Sequence, residues 1–271
     1  MLLSIFALAA LANLSQPGMA PPTESAVQAT AAEFDQSHRL WNEVLQEHVK
    51  DDRFDYAALK KDRGKLDDYI KQLQTVKPDD LKDWSKNERY AFWINVYNAH
   101  TILKVIDNYP VDSIKDLSGA FGLKSVFDNE FIKMKAHHPE GTRDKMSLND
   151  IEHGILRERF KDARVHAAIN CASFSCPPLL GEAFVAAKLE EQLNKQMRAF
   201  VVDKRRNRFN RDKKRAEISE IFKWFSEDFE RDAGSVRDYL IRFAPEEDAA
   251  FLKDAKIKHL DYDWDLNDVK K

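Results

Sequence analysis

Apolar residues recur at helical spacing over most of this 271-residue chain. Phe34, Leu40, Trp41, Val44, Leu45 and Val49 share one helix face. Tyr56, Leu59, Leu66, Tyr69, Ile70 and Leu73 repeat the pattern as a second helix, which Pro78 stops. Ser85 followed by Glu88 pairs an N-cap with its reciprocal acceptor. Behind it Ile94, Tyr97, Ile102 and Ile106 predict a long, central, buried helix that ends at Tyr109-Pro110. Val126-Phe127, residues 131–134 and Lys145-Met146 read as short strands around a polar loop at 137–144. Ser147 with Asp150 caps a helix through Ile151, Ile155, Leu156 and Phe160.

Residues 164–170 are apolar and strand-like, and residues 183–202 read as an amphipathic helix. The basic stretch 204–215, interrupted by Phe209 and followed by Ala216-Glu217-Ile218, reads as a solvated hairpin rather than a nucleic-acid arm. Helices containing residues 221–225 and 236–243, a strand at 257–260 and a turn-like segment at 261–267 complete the chain, with no internal repeat. The pattern predicts a single α+β domain, mainly helical, with a small antiparallel sheet near the cysteine stretch.

Composition narrows this picture. With 43% hydrophobic and 11% aromatic residues the chain can bury one substantial core. Its 43 basic and 46 acidic residues leave a formal net charge of -3, without the basic field that nucleic-acid binding needs. Residues 1–20 carry an apolar run too short to span a bilayer and are expected to be a signal peptide, although no Lys or Arg precedes Arg39. Residues 21–32 would be a disordered leader and residues 33–271 the domain. The expected product is exported, periplasmic or extracellular, with no membrane segment after signal removal. Its expected partner is a small-molecule or peptide substrate or ligand.

Several blocks together resemble the Domain of Unknown Function 547 family. They are residues 54–59 (FDYAAL), 88–99 (ERYAFWINVYNA), 151–157 (IEHGILR), the stretch 164–179 with both cysteines, and residues 221–225 (IFKWF) with Asp228-Phe229. The resemblance runs over residues from about 40 to 265 in the family's order. It implies recurrent polar positions at Glu88, Asn95, Asn98, Glu152, His153, Arg157, His166, Cys171, Ser175 and Cys176, and it implies no activity.

Cys171 and Cys176, with four residues between them, carry three readings. In the first, Cys171 is the nucleophile of a thiol-dependent hydrolase or transferase, because a neighbouring imidazole can lower a thiol into the working range. His166 or His153 would be the base, and Asn98 or Asn95 would orient that base or donate to an oxyanion. A straight strand puts His166 and Cys171 on opposite faces, so this reading needs a bend at Asn170. In the second, a Cys171–Cys176 disulfide, worth roughly 2 kcal/mol for so small a loop, braces a non-catalytic binding or scaffold module. In the third, Cys171, Cys176, His153 and His166 hold a metal, but their spacing matches no zinc pattern. Neither a metal nor another cofactor is therefore expected.

Plainer roles compete for the same residues. Asn95 and Asn98 share one helix face and could simply bond the buried backbone of the cysteine loop. Glu152 and Arg157 could be a helix-surface ion pair. Trp93, Trp224 and Trp264 read as core aromatics, and His137-His138 as an exposed loop pair.

Overall fold

The computed structural model describes residues 34–119, 124–134, 137–138, 141 and 143–270. The signal-like segment 1–20 and the leader 21–32 lie outside the described residues. Helix α1 (Arg39–His48) turns Trp41, Val44 and Leu45 inward. A minimal hairpin, β1 (Val49–Lys50) with β2 (Arg53–Phe54), returns the chain to α2 (Tyr56–Lys61), which Asp55 caps by accepting from the Ala58 amide. The expected second helix is two helices, α2 and α3 (Gly64–Thr75). The charged run Lys60 to Arg63 between them offers no apolar residue to keep the chain on the core. A single turn, α4 (Asp80–Asp83), follows Pro78.

Helix α5 (Lys86–Asn108) begins with the anticipated capping box, Ser85 and Glu88 bonding each other's backbone N–H groups. It is buried on all sides from Tyr90 to Ile102. A helix enclosed this way must satisfy its polar side chains inside the protein. Thr101 donates back to the Tyr97 carbonyl at 2.9 Å, and His100 Nδ1 bonds the Val96 carbonyl at 2.8 Å. Asn95 reaches outward to the backbone of Phe184, donating to its carbonyl at 2.7 Å and accepting from its amide at 3.1 Å. Asn98 does the same one turn on, donating to the Ala168 carbonyl at 3.0 Å and accepting from the Asn170 amide at 2.8 Å.

The strands expected near residue 130 reduce to one antiparallel bridge, Ile132 to Met146. Val126-Phe127 instead form a 3₁₀ turn, because the Ser125 hydroxyl accepts from the Phe127 amide. Ser147 and Asp150 cap α6 (Leu148–Ile151) as expected, but the helix then widens into a π-helical stretch, Glu152–Phe160. The strand expected at 164–170 is a helical turn, α7 (Val165–Ala168), favoured by Ala163, Ala167 and Ala168 and started by Asp162, whose carbonyl accepts from the Val165 amide. After it come a 3₁₀ turn (Ala186–Lys188) and α8 (Leu189–Val202).

The basic hairpin is real: β3 (Arg208–Asn210) pairs antiparallel with β4 (Arg215–Ile218). Helices α9 (Ile221–Trp224), α10 (Ser226–Ala233), α11 (Val236–Phe243) and α12 (Glu246–Leu252) then lead to β5 (Lys256–His259), which joins β4 in parallel. The sheet is therefore mixed rather than wholly antiparallel, since the helices between β4 and β5 form a crossover. The fold is α+β and mainly helical, and no helix among the described residues is long and apolar enough to cross a membrane.

Two apolar clusters result. One surrounds α5; the other gathers Phe200, Phe222, Phe229, Tyr239 and Leu240. Helix α7 sits on the seam, with Val165 and Ala168 in the first cluster and Ala167 in the second.

Two consequences can be measured. Asn98→Ala strands a buried amide and a buried carbonyl, so it should cost roughly 2–4 kcal/mol in urea unfolding. Stability should also fall on acidification from pH 6.5 to 4.5. Burial pushes His38 and His100 down to about 4, each with a buried Nε2 that has no partner, whereas burial pushes Glu152 up to about 7. Midway through this window the unfolded chain carries nearly two protons at these histidines, and the folded chain carries about one, at Glu152. The net excess of one proton on the unfolded chain corresponds to about 1.4 kcal/mol per pH unit. Urea midpoints at pH 7 and pH 5 check the sign.

Candidate functional site

The loop after α7 packs Ile169 and Ala172 into the α5 cluster and has no regular ladder to satisfy its backbone. Side chains do this instead. Asn170 donates to the Pro177 carbonyl and accepts from the Ala172 amide, both at 2.8 Å. Arg206, only 4% exposed, donates to the carbonyls of Cys176 at 2.5 Å and Phe174 at 2.7 Å, and its charge is met by Asp203 and Asp52. Between these clamps Ala172 adopts a left-handed backbone with φ 64°. That conformation costs an alanine about 1–2 kcal/mol and is held here because its carbonyl accepts from the Asn267 amide. Segment 263–267 lies alongside, with Phe174 and Ser175 amides donating to the Asp265 and Asp263 carbonyls. The same segment brings Tyr262 over the cysteines.

Both cysteines are unlinked thiols. The Cys171 amide donates to Cys176 Sγ at 3.1 Å. Cys171 Sγ lies 3.0 Å from Ser173 Oγ and 3.2 Å from the Tyr262 hydroxyl, which are 2.8 Å from each other. A hydrogen bond from the Cys176 thiol does most to lower the Cys171 pKa; Ser173 and Tyr262 add to it, and together they outweigh burial, which acts the other way. Cys176 is raised, first by burial and then by its neighbour. One sulfur is thus prepared to carry charge and the other to keep its proton.

Glu152 opens the π-helical stretch and faces the same space. Its Oε2 accepts from the Tyr97 hydroxyl at 3.2 Å. Burial, followed by the charge of Cys171, sets it at about 7. The imidazole of His166 is held differently. Its Nε2 donates to Asp228 at 2.7 Å, and its ring stacks on Phe225 at 3.9 Å. Asp228 also accepts from Arg157 at 2.6 Å and Arg231 at 2.9 Å. Burial lowers His166, and the charges acting most on it are Asp228, Arg157 and His153. His153 accepts from Arg157 through Nδ1 at 2.9 Å and is lowered by burial and by that guanidinium.

These groups enclose a cavity of about 160 Å³, lined among others by Tyr97, Glu152, His166, Cys171, Trp224 and Tyr262. Its outer wall is aromatic. Trp224, Tyr262 and Trp264 pack with ring centroids 4.6 to 5.9 Å apart, and Trp224 is 43% exposed. An unlinked sulfur, a buried carboxyl and an imidazole backed by a carboxylate therefore meet at one small chamber with an apolar mouth.

Of the residues singled out by sequence, Cys171, Cys176, Glu152, His153 and His166 line this chamber. Asn95 and Asn98 do not, because their amides are spent on backbone groups of Phe184, Ala168 and Asn170. Glu88 serves the helix cap, Ser175 accepts from the Asp263 amide, and Arg157 holds Asp228. Glu152 is buried with Tyr97 rather than paired on a helix surface with Arg157. Trp93 is core, but Trp224 and Trp264 are chamber wall. The pair His137-His138 is buried, His137 bonding the Val76 carbonyl at 2.8 Å. Among the described residues no three His, Cys, Asp or Glu side chains are grouped so as to hold an ion. Sequence reasoning passed over Ser173, Tyr97, Asp228, Phe225 and Tyr262. Ser173 lies between the cysteines and was the easiest to find, whereas Tyr262 is 91 residues from Cys171 with no motif to tie the two.

Neither the curated proteins nor the solved structures contain a match to this chain. A family match covers residues 81–201, which include α5, the π-helical stretch and the cysteine loop and stop short of Trp224, Asp228 and Tyr262. Through that span the chain is similar to the family described as proteins of unknown function, DUF547.

Proposed function

We propose that the protein is a thiol-dependent acyl hydrolase or transferase with Cys171 as its nucleophile. The observation that carries this reading is the half-buried Cys171 sulfur, unlinked and facing the chamber, with three hydrogen-bonding groups on it that favour the thiolate. The thiolate attacks an acyl carbonyl and forms a carbon–sulfur bond. As the tetrahedral species collapses, the bond to the leaving group breaks and that group takes the proton of Glu152. Water, or an acceptor amine or alcohol, then attacks the thioester, returns its proton to the Glu152 carboxylate and regenerates the thiolate.

Glu152 takes the proton-carrying role expected of a histidine because it is the acid that feels the Cys171 charge and because it stands at about 7. His166 and His153 are engaged by Asp228 and Arg157. His166, clamped between Asp228 and Phe225, shapes the side wall of the chamber. The aromatic mouth suits an apolar acyl or peptide substituent. Export to the periplasm or the medium belongs to the same proposal, supported by the apolar run within residues 1–20.

p-Nitrophenyl acetate should acetylate Cys171 faster than it acetylates the same cysteine in urea-unfolded protein, as read by peptide mass. Equal rates overturn the reading, and Cys171→Ser should abolish the adduct. Iodoacetamide labelling of Cys171 should titrate below the ordinary thiol value of about 8.5, and Tyr262→Phe should move that midpoint upward. With acyl anilides, whose leaving group needs a proton, the pH–rate profile should rise with the thiolate and fall above pH 7 as Glu152 ionises. Glu152→Gln should lower the maximum and remove the falling limb.

A further inference from the structure

The second cysteine has no part in acyl transfer beyond its hydrogen bond, yet it is in contact with the first. Cys176 Sγ accepts from the Cys171 amide at 3.1 Å, which sets its sulfur directly beside the first cysteine. Both sulfurs line the chamber, Cys171 half-buried and Cys176 4% exposed. The backbone around them is pinned at Asn170, Phe174, Cys176 and Pro177, so the two thiols are held together rather than meeting by chance. Against the Cys171 sulfur lie the hydroxyls of Ser173, fully buried, and of Tyr262, which lines the chamber, at 3.0 and 3.2 Å. Two such groups beside a sulfur can bond both oxygens of a small peroxide. A disulfide needs adjacent sulfurs and Cβ atoms aimed toward each other, and its formation would remove the nucleophile.

We propose that Cys171 and Cys176 are a redox pair by which the protein consumes hydroperoxides: Cys171 is the attacking thiol, Cys176 the resolving thiol, and Ser173 and Tyr262 the groups that hold the peroxide. The Cys171 sulfur attacks one peroxide oxygen, the O–O bond breaks, and the other oxygen leaves as water or an alcohol after taking the thiol proton. Cys171 is now a sulfenic acid. The Cys176 sulfur attacks it, the S–O bond breaks, the hydroxyl leaves with the Cys176 proton as water, and a disulfide remains. An external dithiol reduces that disulfide and restores both thiols. While the bridge persists, the chamber is closed to acyl chemistry. This activity does not rest on the acyl-transfer reading, since it needs only the thiol pair.

The test uses the reduced full chain with one equivalent of hydrogen peroxide, followed by intact mass. Wild type should lose two hydrogen atoms in mass, become unreactive to iodoacetamide at both cysteines, and recover both properties with dithiothreitol. Cys176→Ala should instead stop at a sulfenic acid trapped by dimedone on Cys171, and Cys171→Ser should be inert. Wild type that gains oxygen atoms as Cys176→Ala does, or that reacts no faster than the urea-unfolded chain, would falsify the pair. The wild-type comparison decides the matter even if a variant fails to fold. Retained acetylation of Cys171 by p-nitrophenyl acetate alongside failure here would separate this proposal from the acyl-transfer one.

Discussion

The structure depends on a buried loop that cannot satisfy its own backbone. Residues 169–178 are largely buried beside the α5 cluster and outside any helix or strand, so most of their amides and carbonyls take a side chain or another segment as partner. Asn98 arrives from α5, Arg206 from the chain after α8, Asn267 from the end of the domain, and Asn170 from the loop itself. These bonds connect distant parts of the sequence at one place. They also make tolerable the left-handed Ala172, which places Cys171 and Ser173 around a tight bend. A loop bonded only to water could not hold a strained residue beside a reactive sulfur.

The chemistry follows from the same enclosure. Burial acts on all three titrating partners, yet its outcome differs with what each can bond. Glu152 has one hydroxyl donor and a negative neighbour, so it holds its proton near neutral pH. His166 has a carboxylate on one nitrogen, yet burial lowers it below the ordinary imidazole range. Cys171 has donors enough to overcome burial and moves the opposite way from Cys176, though the two sulfurs share one pocket. Groups pushed apart in this manner can exchange a proton at one pH. The π-helical widening at Glu152 contributes as well, since it changes the helix register at the point where the carboxyl enters the chamber.

Much of the scaffold was legible because it is local. Ser85 with Glu88 and Ser147 with Asp150 place two helix starts, and the basic run with Phe209 places a hairpin, since caps and turns involve residues a few positions apart. The cysteine motif likewise marked residues that line the chamber. Where local pattern misled, a competing local bond decided. Ser125 drew Val126-Phe127 into a 3₁₀ turn, and Asp162 with three alanines made a helical turn of a stretch that reads as a strand.

What the sequence alone determined is the class of the fold, the central helix and the thiols at the heart of the site. The partners of those thiols were decided by tertiary structure. Asn98 was a candidate for chemistry and became a clamp, because the backbone it faces has no other partner; Glu152, a candidate surface ion pair, is enclosed with Tyr97. Tyr262 and Trp224 come to the chamber, and Asp228 to the imidazole on its wall, from far along the chain, with segment 263–267 bonded to the cysteine loop. Such contacts span tens of residues and leave no periodicity, since they are set by which buried backbone groups remain to be satisfied once the helices have packed.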